Sequence, residues 1–174
     1  LDAFLAHFQR TVHQMSQSTA PVVCAPVGMS LGGGFEVVLH TKQVICHANS
    51  TMGLVESGVG LIPAGGGCKE TLYRWHDKLG EQDVTQAAWK AFMNLGYGRT
   101  CSSPILAREQ AMLRNNDRFL SNRDRLLDAA RHAIDAAGTD ACEQQDFQRP
   151  SLAMPGKPVF EAMIEWLNQA HSAG

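Results

Sequence analysis

A mixed α/β fold is what this sequence predicts, and three observations carry that reading. The first half alternates short apolar runs with glycine clusters, the pattern of buried strands feeding tight turns. The second half places apolar residues at helical spacing in one segment after another. With 174 residues and 44% hydrophobic content, one chain can bury a sizeable core. The organisation divides accordingly into residues 1–80, which hold the candidate chemistry, and residues 81–174, a helical region for packing and assembly.

The elements follow in order. From Leu1 to Gln17, apolar residues at Phe4, Leu5, Phe8, Val12 and Met15 recur near every 3.6 positions and predict an amphipathic helix that ends before Pro21. PVVCAPVGMSL, residues 21–31, reads as a buried strand feeding a turn, because Pro26 and Gly28 interrupt any helix. Gly32, Gly33 and Gly34 suit the opening of a helix rather than its interior, so FEVVLH becomes a short buried helix. KQVICHA (42–48) and TMGLVE (51–56) are the next strands. GVGLIPAGGG follows, too poor in side chains for core and too apolar for a linker, so something should approach its backbone closely.

After Gly67, CKETLYRWH, VTQAAWKAFMNLG, SPILAREQAML and RDRLLDAARHAIDAAG carry helical spacing. Gly96 and Gly138 are the expected C-caps, and Ser103 before Pro104 the expected N-cap. Residues 139–158 turn polar and proline-containing, which predicts an irregular connection. A last helix, Val159 to His171, is expected to pack through Phe160, Met163, Ile164 and Leu167.

Composition excludes several functions. A net charge of −2 offers no basic excess to hold a phosphate backbone, so nucleic acid is not an expected partner. No stretch is long and apolar enough to predict a membrane span. The five cysteines are odd in number, widely spaced and without a C-x-x-C pair, and they read as reduced thiols of a cytoplasmic protein. The opening at Leu1, with neither a basic n-region nor an apolar h-region, reads as the interior of a longer parent without a secretory signal. The seven histidines show no H-E-x-x-H or paired spacing, so no metal is expected. Neither glycine cluster matches a dinucleotide or P-loop motif. Ser30 and Ser57 lie outside any G-x-S-x-G elbow and read as turn residues, and Asp77, Lys78, Arg123 and Arg125 as a solvated face.

Two acids remain. Glu36 falls in the first turn of a helix whose neighbours Phe35, Val37, Val38 and Leu39 are all apolar. Complementing the helix dipole would explain an exposed acid there, but these neighbours predict burial. Glu56 ends an apolar run before a glycine turn, 20 residues further on. Two acids in apolar settings that converge across adjacent strand ends have the displaced pKa values that general acid/base work uses. Amide N–H groups at the helix start beside them favour negative charge, so an oxyanion fits there.

The run PVVCAPVGMSLGGGFEVVLHTKQVICHANSTMGLVESGVGLIPAGGG, residues 21–67, resembles the central signature of the crotonase superfamily, and of its enoyl-CoA hydratases in particular. The triple glycine, the acid two positions later, the second acid and the I-P-x-G-G-G ending all stand in register. Ala64, Cys68 and Ser30 depart from the residues usual there, glycine, threonine and alanine, and none removes a catalytic group. The resemblance implies a crotonase-like spiral of ββα units, here only its C-terminal part, followed by a helical region of the kind that assembles trimers.

For the site, the resemblance implies Glu36 as the base on water, Glu56 as the acid that protonates the α carbon, and the Gly33 amide as half of an oxyanion hole. Gly32, Gly34 and Gly66 then contact substrate. The implied activity is hydration of trans-2-enoyl-CoA thioesters in fatty acid β-oxidation, without metal or redox cofactor. Enoyl-CoA isomerisation needs only the acid at Glu56, and a non-catalytic crotonase scaffold needs neither. The family's second oxyanion donor sits in an A-G-x-D region that this sequence does not contain, so the chain alone is expected to be weak or inactive. The tail LSNRDRLLDAARHAIDAA is similar to hydratase modules fused to a 3-hydroxyacyl-CoA dehydrogenase, whose NAD site would lie in another domain.

Overall fold

The fold is known from a computed structural model that describes residues 1–80, 83–137 and 151–173. Helix α1 (Asp2–Ser16) opens the chain, and strands β1 (Val23–Cys24) and β2 (Met29–Leu31) follow. Helix α2 (Gly33–Leu39), β3 (Gln43–His47) and β4 (Thr51–Gly53) lead to a 3-10 turn, Glu56–Val59. Then come α3 (Gly67–Leu79), α4 (Val84–Gly96), β5 (Thr100–Cys101), α5 (Pro104–Glu109) and β6 (Arg118–Leu120). A second 3-10 turn, Arg123–Arg125, precedes α6 (Leu126–Ala137) and the terminal helix α7 (Lys157–Ala173).

The first four strands alternate between two small sheets, β5 extends the second and β6 the first. One has the order β1-β3-β6, with both pairs parallel; the other has the order β2-β4-β5, parallel then antiparallel. Each passage β1–β2–α2–β3–β4 therefore adds one strand to each sheet before a helix returns the chain, which is a spiral of ββα units. Register is fixed by Val23 opposite Gln43, Ser30 opposite Met52, and Cys46 opposite Phe119.

Between the sheets and the helices, Phe35, Val38, Leu39, Val44, Cys46, Met52, Leu54 and Cys101 form the main core, joined by Ala107, Met112 and Leu113. A smaller cluster gathers Trp75, Ala87, Ala91 and Ala111 between α3 and α4. Burying such side chains contributes on the order of 1.5–3 kcal/mol for each large aliphatic or aromatic residue. Buried polar groups tie the layers together. Asp117 accepts the amides of Val44 at 2.9 Å and Arg114 at 2.7 Å, while Arg74 donates to the carbonyls of Leu39 at 2.9 Å and Met112 at 3.0 Å.

Several expectations are corrected. Residues 21–31 form two short strands in different sheets rather than one buried strand, because Pro26 and Gly28 turn the chain between them; Met29 is exposed and Ser30 lies in β2 rather than a turn. TMGLVE stays a strand only to Gly53, and Glu56 opens a 3-10 turn instead of ending the strand. Gly96 is the last residue of α4 and Tyr97 the cap. Helix α5 stops at Glu109, short of Leu113, as the chain passes through Ala111 at φ 54°. Its start is as expected, Ser103 accepting the Leu106 amide ahead of Pro104.

Strands β5 and β6 lie inside the half that reads as helical. Helix α7 faces inward with Val159, Met163 and Trp166, whereas Phe160, Ile164 and Leu167 are exposed. Trp166 meets Phe92 and Tyr97 edge-on, at 6.0 and 6.1 Å between ring centroids. Gly138, Cys142 and most of the polar connection lie outside the described residues, and residues 151–156 have no regular structure. No helix among the described residues is long and apolar enough to cross a membrane.

Candidate active site

The site begins where β2 becomes α2. Gly32 adopts φ 55°, a left-handed region that glycine enters freely, and so turns the chain from strand to helix. Its amide donates to the Gly53 carbonyl at 3.0 Å, and its own carbonyl accepts from Phe35 and Glu36 at 2.8 and 3.0 Å. The amides of Gly33 and Gly34 precede the first intrahelical bonds, so the helix itself does not use them.

Glu36 lies in the first turn of α2 and is 3% exposed, as its apolar neighbours predict. Its Oε1 accepts the Gly67 amide at 2.7 Å. Burial pushes its carboxyl above the ordinary carboxylate value. The amides of Gly67 and Gly65 oppose that shift, and the charge of Glu56 adds to it. The Glu56 charge therefore reaches Glu36. The two acids stand at a helix start and a 3-10 turn, not at two strand ends.

Glu56 is half-buried, and its Oε2 is shut off from solvent without a hydrogen-bond partner. Buried acceptors are nearly always satisfied, so such an atom marks a place where a donor belongs. Its Oε1 faces Gly32, where an added Cβ would stand 3.3 Å away. Cys68 lies in the field of both acids: burial first, then Glu36 and Glu56, raise its thiol pKa and keep it protonated.

The glycine-rich stretch shows what approaches its backbone. A Cβ on Gly65 would stand 2.5 Å from Glu36 Oε2 and collide with the Phe8 ring. One on Gly67 would stand 2.9 Å from Glu36 Oε1. Gly66, at φ 117°, lies against the His40 ring. The loop is glycine because a carboxylate, a phenyl ring and an imidazole occupy the space that side chains would take.

Gly32 thus lies against the Glu56 carboxylate, Gly65 and Gly67 against that of Glu36, and Gly33 and Gly34 are exposed at the helix start between them. Gly66 is turned toward His40 rather than toward the carboxylates. Sequence reasoning missed Phe8 and His40. The i to i+4 spacing of Glu36 and His40 was a signal for the second; nothing local pointed to Phe8. Among the described residues no cluster of His, Cys, Asp or Glu is arranged to hold a metal.

The sequence profile of the family "Enoyl-CoA hydratase/isomerase" matches residues 2–91, more than half of the chain. Over 119 residues, 68% of the chain, it is 42% identical to a "Probable 3-hydroxyacyl-CoA dehydrogenase" of Bacillus subtilis, of which it spans 15%. Over 64 residues it is 31% identical to mitochondrial methylglutaconyl-CoA hydratase of Mus musculus, of which it spans 20%. The crystal structure of an enoyl-CoA hydratase from Bacillus anthracis superposes with a TM-score of 0.62 at 20% identity, covering 97% of this chain and 59% of that one. The chain therefore spans a small part of the curated relatives and about half the length of the solved structures, and the fold is crotonase-like.

Proposed function

The chain belongs to the enoyl-CoA hydratase/isomerase family, and from that premise we propose that it carries the acid/base pair of a hydratase acting on trans-2-enoyl-CoA thioesters. The observation that carries this reading is the buried Glu36 carboxylate, held by the Gly67 amide within the field of Glu56, whose own Oε2 is buried and unbonded. An isomerase needs one proton-shuttling acid. A hydratase needs two, to hold and deprotonate a water.

In the proposed reaction a water lies between the two carboxyl groups. Glu36 takes one of its protons as the oxygen bonds to C3, and the C2–C3 π pair moves into the thioester to make an enolate oxygen. The Gly33 amide stabilises that charge, as a preorganised donor does best where water is excluded. The enolate then collapses, and C2 takes a proton from Glu56. Transfer of the proton from Glu36 to Glu56 restores the pair. The addition is redox-neutral, so it asks for no nicotinamide, and the proposal gives the developing charge to the Gly33 amide rather than to a metal. The chain has no G-x-G-x-x-G register to cradle a nicotinamide pyrophosphate; in a fused parent, NAD would belong to a separate domain.

Similarity to the Bacillus subtilis protein supports a bifunctional parent in fatty acid β-oxidation, since a 3-hydroxyacyl thioester is what a dehydrogenase of that class consumes. Trimer-type assembly and a cytoplasmic location belong to the same proposal. The test is Glu36→Gln in the full-length protein that carries this chain, with loss of the conjugated enoyl absorbance as readout. A positioned general base contributes about 10²–10⁴-fold, and a loss of that order is expected. Surviving double-bond migration would favour the isomerase, and an unchanged enoyl band in the unsubstituted protein would favour a scaffold.

A further inference from the structure

His40 is the residue behind the site that no part of the proposed reaction uses, and it is almost wholly buried at 2% exposure. Its Nδ1 lies 2.7 Å from the Glu36 carbonyl oxygen. A carbonyl only accepts, so Nδ1 carries the proton and donates. The ring meets Gly66 so closely that a Cβ there would stand 2.7 Å from Cε1 and 2.8 Å from Nε2. Gly66 is the middle residue of the loop whose flanking amides, Gly65 and Gly67, act on the Glu36 carboxylate. One imidazole thus touches both ends of the arrangement: the backbone that carries Glu36 and the loop that holds its carboxyl group.

We infer that His40 is a positioning residue for the base, holding the Glu36 carbonyl by its Nδ1–H and seating the Gly65–Gly67 loop on its ring. The inference rests on the reading of Glu36 as the base. It is distinct from a packing role because the ring meets both anchors of the carboxylate, the Glu36 backbone and the loop that holds its carboxyl group.

The charged groups around the ring come from two elements. Glu70 on α3 places Oε1 4.0 Å from Nε2, beyond hydrogen-bond reach, and is itself paired with Lys69 at 3.2 Å. Arg74, on the same helix, also acts on the ring. Across a cavity of about 550 Å³, Arg10 and His13 of α1 face it together with Lys69. Burial is the largest influence and lowers the His40 pKa, so the ring is neutral where the enzyme would work, with Nδ1 as its donor.

Two polar substitutions separate the roles. In His40→Asn the amide nitrogen falls near the place of Nδ1 and keeps the donor, whereas in His40→Gln it falls near Nε2 and loses it. In the full-length protein, His40→Gln is expected to lower kcat on crotonyl-CoA about 10- to 100-fold with KM within about twofold, as misplacement of a catalytic group by about 1 Å does. Its acid limb in the kcat–pH profile should move to higher pH, because weaker amide bonds to the Glu36 carboxylate favour the protonated form.

His40→Asn should recover most of kcat and return the limb. Equal behaviour of the two variants, or a loss of kcat with the limb unmoved, overturns the inference and leaves the hydratase reading intact. If Glu36→Gln itself leaves hydration running, both fall together. A His40→Leu variant adds a third arm, and should it fail to fold, the Asn–Gln comparison still decides.

Discussion

Gly65 is where packing and chemistry meet most tightly, and Gly65→Ala tests both. The residue is buried, and its backbone is not in the left-handed region, so the substitution acts through space alone. The new methyl would stand 2.5 Å from Glu36 Oε2 and inside the contact distance of the Phe8 ring. Ordinary contact begins near 3.5 Å, so the carboxylate or the loop must give way by about 1 Å. Overpacking of this kind costs about 1–3 kcal/mol, so the transition that unfolds this part of the protein should move to lower temperature.

The same displacement carries the base away from its water, which is expected to lower kcat about 10²-fold. Differential scanning calorimetry and the enoyl absorbance assay on the full-length protein give the two readouts. For stability, Gly34→Ala is the control, since nothing lies within 4 Å of the methyl it adds; inside a helix it should leave stability unchanged or raise it by about 0.5–1 kcal/mol. A Gly65→Ala protein with unaltered melting and unaltered kcat would refute the reasoning.

Further predictions follow from Glu36 and from the residues of α5 and the turn after it. Because burial raises the Glu36 pKa, the base form fills only as pH climbs through that raised value, and the acid limb of kcat should lie above the ordinary carboxylate range of 4.5. By the same linkage the folded chain holds more protons than the unfolded one between 4.5 and the raised value. Stability should therefore decline as pH rises through that window, and denaturant titrations across it should show a flatter course for Glu36→Gln. Ala111 sits at φ 54° and is buried. In Ala111→Gly, relief of about 1–2 kcal/mol is offset by about 0.4–1 of chain entropy and about 0.8 of lost methyl burial, which leaves urea stability close to unchanged. Ala107→Gly, fully buried within α5, should instead cost about 2 kcal/mol.

How much of this was legible in the chain differs from element to element. Helices α1, α3, α4 and α6 announce themselves by apolar spacing, because each is long enough for a 3.6-residue period to be counted. Strands β5 and β6 do not, since a strand of two or three residues is defined by its partner: Cys101 pairs with Met52, and Phe119 with Cys46. Helix α7 carries two apolar stripes, Val159/Met163/Trp166 and Phe160/Ile164/Leu167, with the same spacing. The rings of Phe92 and Tyr97, far back in the chain, meet Trp166 of the stripe that turns inward.

The site divides in the same way. Two acids in apolar surroundings, a glycine helix start and a glycine loop are properties of local composition, and the sequence by itself determined them, because side-chain chemistry and backbone freedom belong to each residue. The tertiary structure decided that Glu36 bonds Gly67, 31 residues away, and that the ring of Phe8 fills the space over Gly65. It likewise decided that His40 stands beneath the loop. Burial and hydrogen-bond partnership depend on groups that the fold alone brings within a few ångströms, as Val44 and Asp117, 73 residues apart, show in the core.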